Sequence, residues 1–270
     1  MARSVDVKIG QSSEIGEYDP GMQDLLQILW GDGFLSPGGS DEVDRVLEGS
    51  DIRGCRVLDI GAALGAIDVL LVQRHGAGSV VGIDVDPGLL AQAELRIARN
   101  GLTDRIRTQC ITPGALPFPN EAFDVVFSKD SIVQIPGKAA LYAEIIRVLR
   151  PVGRFIASDW LRGGEGTFSS DMLEFFRLEG IAYNLISLQE CATLLRSVGF
   201  TELEVRDRNA WYCDLARREL AAMEGDLRDD IVKRIGAERA GHFLANWRQM
   251  VRVLERGELR PGHIKAHKPA

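Results

Sequence analysis

The run Val57-Leu58-Asp59-Ile60 reads as a strand and leads directly into Gly61-Ala62-Ala63-Leu64-Gly65, a turn of small residues that opens a helical pattern. Small residues at such a turn let the backbone approach a ligand closely, which makes Gly61, Ala63 and Gly65 candidate contacts. A second strand, Val80-Val81-Gly82-Ile83-Asp84, ends in an acid 19 residues after Gly65. A carboxylate there can accept hydrogen bonds from both hydroxyls of a ribose, so Asp84, with Val85 beside it, is a candidate for ribose binding. A tight structural turn or a dinucleotide site would carry similar residues. The charge ahead of the turn separates the ligands: Asp59 would repel a pyrophosphate but attract the ammonium of a methionine moiety. The expected cofactor is therefore S-adenosyl-L-methionine, with S-adenosyl-L-homocysteine as product, and Asp59 is expected beside the amino group.

Such residues act together only if strand ends are brought side by side. From Arg56 onward, short β-branched runs alternate with longer helical patterns, which predicts a parallel sheet wrapped by helices. Strands are expected at 56–60, 79–85, 105–110, 123–128, 154–159 and 202–207, with a last one near 263–267. Leu141, Ile145, Val148 and Leu149 recur at helical spacing and predict a helix over 139–149, ended by Arg150-Pro151-Val152-Gly153. The flanks depart from this alternation. A helix is expected from Pro20 to Trp30, followed by a turn at Ser36-Pro37-Gly38-Gly39 and a second short helix. Gly163-Gly164-Glu165-Gly166 reads as a linker into an amphipathic segment, and both flanks could form a lid. Beyond Asp207 the chain is helical through Glu255, with the charge run from Glu224 to Arg234 as a solvated face, and Phe200, Leu203 and Val205 read as strand core. The expected organisation is one α/β domain: a helical arm over 1–50, a cofactor-binding core over 51–160, and a lid, helical extension and last strands over 161–270.

Bulk composition narrows the function. A chain of 270 residues with 45% hydrophobic content can bury a sizeable core. A net charge of −7 and a pI near 5.3 argue against nucleic acid or an anionic membrane as partner; only the stretch from Arg252 to Lys268 is locally basic. No run of about 18 apolar residues occurs, so a soluble, cytoplasmic protein is expected. Cys55, Cys110, Cys191 and Cys213 form no Cys-x-x-Cys pair and have no His at metal-ligand spacing. They are expected to be reduced, buried thiols. His75, His242, His263 and His267 are far apart, His75 suits a helix cap, and no metal is expected. The arm and the helical last third could cover a site within one chain or swap between subunits, which leaves a homo-oligomer open.

Further along, Phe118-Pro119-Asn120-Glu121-Ala122-Phe123-Asp124-Val125-Val126 and Leu149-Arg150-Pro151-Val152-Gly153-Arg154 complete a pattern that resembles class I methyltransferases, whose fold is a Rossmann-like, mostly parallel seven-stranded sheet flanked by helices. Gly31-Asp32-Gly33-Phe34-Leu35-Ser36-Pro37-Gly38-Gly39, Ser128-Lys129-Asp130-Ser131-Ile132, Ser158-Asp159-Trp160 and Gly262-His263-Ile264-Lys265-Ala266 resemble the phosphoethanolamine N-methyltransferases in particular. The resemblance runs from about Tyr18 to Lys268 and implies that Tyr18 lies over the active site. It also implies that Ser36 touches the methionine carboxylate, that Lys129 replaces an Arg near it, that Asp130 faces the substrate amine, and that Ile111 packs on the adenine.

The departures carry as much information. Gln134 stands where the family pairs a His with its Tyr, and an amide cannot take a proton near neutral pH. In the segment resembling the phosphate lid only Tyr183 matches; the expected Arg falls on Ile181 and another Tyr on Arg177. Trp160 stands where a Tyr would bind phosphate. Phosphoethanolamine is therefore not the expected acceptor. Ala63 replaces a turn glycine, and Thr112 an acid that contacts the adenine amino group.

Three readings follow. The first is an N-methyltransferase of secondary metabolism acting on a small amine or nitrogen heterocycle, with Tyr18, Asp130 and Gln134 at the reacting centre and Trp160, Phe175, Phe176 and Tyr183 lining an apolar pocket. The second is an S- or O-methyltransferase on a small acid or natural product, paired by Arg162 or Arg177. The third is a protein that binds S-adenosylmethionine and no longer methylates.

Overall fold

Alternate residues of β1 (Arg56–Ile60) and β4 (Phe123–Lys129) point to opposite faces of a sheet, and both faces are covered. Val57, Val125 and Phe127 enter one core beneath α2 (Gly39–Leu47), α3 (Ala66–Gln73) and α4 (Pro87–Arg99). Leu58, Ile60 and Val126 enter the other, beneath α5 (Lys138–Val148) and α7 (Leu188–Ser197). With β2 (Ser79–Asp84), β3 (Ile106–Cys110), β5 (Leu149–Asp159), β6 (Thr201–Asp207) and β7 (Gly262–His267), these strands form one seven-stranded sheet in the order β3-β2-β1-β4-β5-β7-β6. Pairing is parallel from β3 to β5, and β7 runs antiparallel to both neighbours. This computed structural model describes residues 18–270, so the first part of the expected arm lies outside the described residues.

A third apolar cluster joins α1 (Pro20–Trp30), α6 (Ser170–Glu179), α8 (Asn209–Glu224), α9 (Arg228–Ile235) and α10 (Ala237–Glu255) into a helical cap. The start of α1 is fixed by Asp19, whose carboxylate accepts from the Gly21 and Met22 amides while Pro20 occupies the first turn. Its end is pinned by Glu219, which accepts from the indole N–H of Trp30 (2.6 Å) and of Trp247 (3.0 Å). Burial raises the Glu219 pKa, and the two indole donors oppose the rise.

The structure corrects several expectations. β5 begins at Leu149 rather than after Gly153, because the chain enters the sheet directly from α5 and its pairing with β4 shifts register between Phe123 and Val125. Val205 is exposed rather than core: β6 is an edge strand whose residues face solvent almost throughout. Cys110 is exposed at the end of β3. His75 caps no helix; its ring lies 2.8 Å from Asp44 of α2 and ties α2 to the end of α3.

Candidate active site

The strand order reverses between β1 and β4, and the crevice at the carboxyl ends of the strands there is where open α/β sheets bind ligands. A cavity of about 490 Å³ occupies it. One wall is the turn after β1. Gly61 has φ +87°, and a side chain there would collide with the Ser131 hydroxyl, so only glycine fits. The Ala63 amide donates to Asp84 Oδ2 (2.9 Å), and the Val85 and Asp86 amides donate to Oδ1 (2.7 and 3.1 Å). The Asp84 carboxylate thus ties the two strand ends together at the cavity edge. Burial raises its pKa, against the pull of these amides. Ile111 and Pro113 form the wall beyond β3, while Ile60, Ile67 and Leu89 line the apolar floor.

At the opposite end, Lys129 closes β4 with its ammonium buried. It donates to Ser36 Oγ (3.0 Å), the Pro37 carbonyl (2.9 Å) and Asp130 Oδ2 (2.6 Å), which uses all three of its hydrogens. Lys129 therefore fastens the 31–39 loop to the sheet, and because Ser36 accepts from it, the Ser36 hydroxyl hydrogen is left to donate. Asp130 has φ +57°, an unfavourable conformation for a residue with a side chain, held by the hydrogen bond that its backbone N–H donates to the Ser158 carbonyl (2.8 Å). Its Oδ1 accepts from the Ser158 hydroxyl at 3.3 Å.

A second, smaller cavity of about 60 Å³ adjoins the first. Tyr18, Leu35, Asp130 and Gln134 line both. Gln134 sits in a single 3₁₀ turn, Ile132–Gln134. That turn is braced from below: Lys138 Nζ donates to the carbonyls of Ile132 and Ile135, and the buried Asp159 carboxyl accepts from the Val133 amide. Asn184 supports it from the side, through its amide to the Val133 carbonyl and its Nδ2 to the Gln134 carbonyl. Burial lowers the Lys138 pKa to about 8 and raises that of Asp159 to about 7.

Of the residues picked from sequence, the structure brings Tyr18, Ser36, Gly61, Ala63, Asp84, Val85, Ile111, Lys129, Asp130 and Gln134 around the larger cavity. Trp160 and Tyr183 join Tyr18, Asp130 and Gln134 around the smaller. Six others lie elsewhere, Asp59 among them. Gly65 supports the turn from behind, where a side chain would strike Ala93 of α4. Thr112 is exposed and outside the cavity lining. Phe176 packs behind Tyr183, with ring centroids 5.3 Å apart. Arg177 is exposed and paired with Glu174 (2.7 Å) one turn earlier on α6. Arg162, also considered for an acidic acceptor, lies with its guanidinium 4.4 Å from the Phe168 ring centroid and lines neither cavity.

Asp59 is the largest correction. It is fully buried beneath the turn, facing Asp68 of α3, and its oxygens never reach the cavity. Neither carboxyl takes a hydrogen bond from any group outside the pair. Burial first, and the neighbouring acids Asp59 and Asp84 after it, raise the Asp68 pKa well above the carboxylate range; burial likewise raises that of Asp59, although its bond from Asp68 opposes this. A folded state that holds protons the unfolded chain has released loses stability as pH rises from the unfolded value near 4 through the raised folded values. The melting temperature is accordingly expected to fall from about pH 5 to about pH 8. Asp68→Asn, which keeps a donor for Asp59 and removes one proton, should flatten that fall in a thermal scan.

Residues 57–153 match the methyltransferase domain family, and they span β1 to the start of β5, including the whole turn between β1 and α3. This stretch of the chain is a methyltransferase domain, and the whole sheet has the class I methyltransferase fold. Phosphoethanolamine N-methyltransferase 1 of Zea mays is 26% identical over 89% of this chain and 47% of its own length; the chain thus spans about half of that relative. Methyltransferase GfsG of Streptomyces halstedii is 26% identical over 73% of this chain and 76% of its own. Among solved structures, a phosphoethanolamine N-methyltransferase of Haemonchus contortus, in complex with phosphomonomethylethanolamine and S-adenosylhomocysteine, superposes with a TM-score of 0.85. It covers 94% of this chain and 59% of that one at 22% identity.

Several of the residues that sequence reasoning missed lie in the cap. Trp30 of α1, Glu179 of α6, and Asn246, Trp247 and Met250 of α10 line the smaller cavity. One signal was present: Asn246 interrupts an otherwise apolar stripe of α10 formed by Phe243, Trp247 and Met250, and a lone amide on a buried helix face has to meet a partner.

Proposed function

We propose that the chain methylates a small amine other than phosphoethanolamine, using S-adenosylmethionine held in the larger cavity. The cavity suits this cofactor in size and in the placing of its polar groups: carboxylate and turn amides at one end, the Ser36 hydroxyl at the other, and an apolar floor between. In this reading Asp84 takes the ribose hydroxyls, Ile111 and Pro113 flank the adenine, and Ser36 with the turn holds the methionine end. The bound cofactor supplies a methyl group on a sulfonium, which leaves by in-line displacement.

The observation that carries the acceptor class is Asp130, a carboxylate that lines both cavities where they meet. A carboxylate at that junction accepts an amine hydrogen and turns the nitrogen lone pair along the line of transfer. Because Lys129 already neutralises Asp130, the junction does not favour a protonated amine, and the nitrogen can reach it with its lone pair free. Tyr18 and Gln134 complete the ring around the reacting atom, and the aromatic walls of the cap exclude water. A phosphate, by contrast, would sit against the carboxylates of Asp130 and Glu179.

The test is a turnover screen of S-adenosylmethionine with amines, thioethers, carboxylic acids and phosphoethanolamine, following S-adenosylhomocysteine release. Methylation confined to amines is the expected result. Turnover on acids or thioethers alone would overturn the acceptor class, and cofactor binding without turnover on any acceptor would favour the non-methylating alternative.

A further inference from the structure

The 31–39 loop and the turn after β1 both line the larger cavity, and the Arg96 side chain joins them from outside it. Arg96 belongs to α4 and lines neither cavity. Its Nε donates to the Leu64 carbonyl (3.0 Å), and its two terminal nitrogens donate to the two carboxylate oxygens of Asp32 (2.5 and 3.0 Å). A planar fork that serves a carboxylate and a carbonyl together is an arrangement that only arginine supplies. Gly33 crosses directly over the guanidinium, and a side chain there would collide with it. The Gly33 amide in turn donates to Gln27 Oε1 of α1 (2.8 Å), so the loop and α1 form one body.

This loop has two fastenings of opposite character. Lys129 holds its Ser36-Pro37 end from within the sheet, with the ammonium side chain fully buried. Arg96 holds Asp32 at the surface, where that carboxylate is 84% exposed. Salt screens an exposed pair and hardly touches a buried one. The Arg96 side chain is itself only 21% exposed and is anchored to Leu64, so when this end of the loop lifts, Asp32 is the partner that leaves. Gly31 and Gly33 flank Asp32 at φ +100° and +82°, and glycine carries little penalty for the rotation this requires.

Building on the placing of the cofactor in the preceding subsection, we propose that Arg96 is a positioning residue of the cofactor site, and that separation of Asp32 from it is the step that admits and releases the cofactor. A ligand whose methionine end touches Ser36 and the turn at once is held between two walls, and its escape depends on what joins them. Arg96 is remote from the reacting atoms. Its effect therefore falls on the lifetime of the bound cofactor rather than on the choice of acceptor.

Stopped-flow measurement of S-adenosylhomocysteine release from the full chain tests the proposal. Asp32→Asn, which keeps the side-chain shape at an exposed position, should release the ligand about three- to fivefold faster than the parent protein. Arg96→Ala, which also frees the Leu64 carbonyl, should release it about tenfold or more faster. Release from the parent should quicken between about 50 mM and about 500 mM salt, while release from Asp32→Asn stays nearly flat. A contact that only supported the fold would shift the melting temperature without giving the release rate this salt dependence, so thermal melting of both variants accompanies the kinetics. An unchanged rate in Asp32→Asn, or the same salt dependence in variant and parent, overturns the proposal. If S-adenosylhomocysteine binds but its release is indifferent to both substitutions, the placing of the cofactor stands and this inference alone falls; if it does not bind, both fall.

Discussion

Asp84→Ala is expected to weaken S-adenosylmethionine binding by about 30-fold or more, a loss of roughly 2 kcal/mol or above. Two effects add. The carboxylate that would take the ribose hydroxyls is gone, and the amides of Ala63, Val85 and Asp86 lose their common acceptor. Ala63 is held at φ +46°, a conformation that costs a residue with a side chain roughly 1–2 kcal/mol, so losing the bond that holds it lets the turn relax away from the ligand. Asp84→Asn separates the contributions: an amide oxygen still accepts from part of the turn, and a smaller loss is expected. Calorimetric titration of each variant provides the check, and affinity unchanged in Asp84→Ala would sink the placing of the cofactor.

Lys129→Ala is expected to be the most destabilising single change at the site, by about 3–5 kcal/mol in a chemical denaturation curve, because it leaves the Asp130 carboxylate buried without its partner. The 31–39 loop also loses its attachment through Ser36 and Pro37. In the double variant Lys129→Met with Asp130→Asn, charge and countercharge disappear together. Its stability should lie well above that of Lys129→Ala, and the difference measures how much of the single-variant loss comes from the stranded charge. Equal instability of the two would mean that the loop contacts, not the ion pair, dominate.

The parts of the fold legible from sequence are those in which local chemistry and periodicity agree. The helix Pro20–Trp30 was readable to the residue because Pro20 marks its first turn and Gly31 its end. β1, β2 and the intervening turn were readable because apolar runs there abut small residues and an acid. Asp59 was misread for a definable reason: a sequence displays a charge but not the face of the pleat from which it projects, and the side chain of Asp59 turns toward α3 rather than toward the strand ends. β6 was misread because alternation does not distinguish an edge strand from a central one. Glu179 and Asn246 stand 67 residues apart and meet only when α6 packs on α10, so no local pattern joins them. Arg177 and Phe176 were selected from the right helix and the wrong faces, an error that the packing of α6 against Tyr183 settles.

The position of β7 bears on how the chain assembles. The strand comes last in chain order but lies between β5 and β6, and β6 pairs with nothing else in the sheet. As the polypeptide leaves the ribosome, strands β3 to β5 can pair as soon as each is made, whereas β6 must wait for the three helices of the cap to be synthesised before its amides find acceptors. Such delayed, distant pairing slows folding and leaves an open edge meanwhile. The sequence of that edge, Thr201-Glu202-Leu203-Glu204-Val205-Arg206-Asp207, is dense in charge. The same side chains that make β6 a poor core strand in the finished molecule therefore discourage the waiting edge from adding to a neighbouring nascent chain.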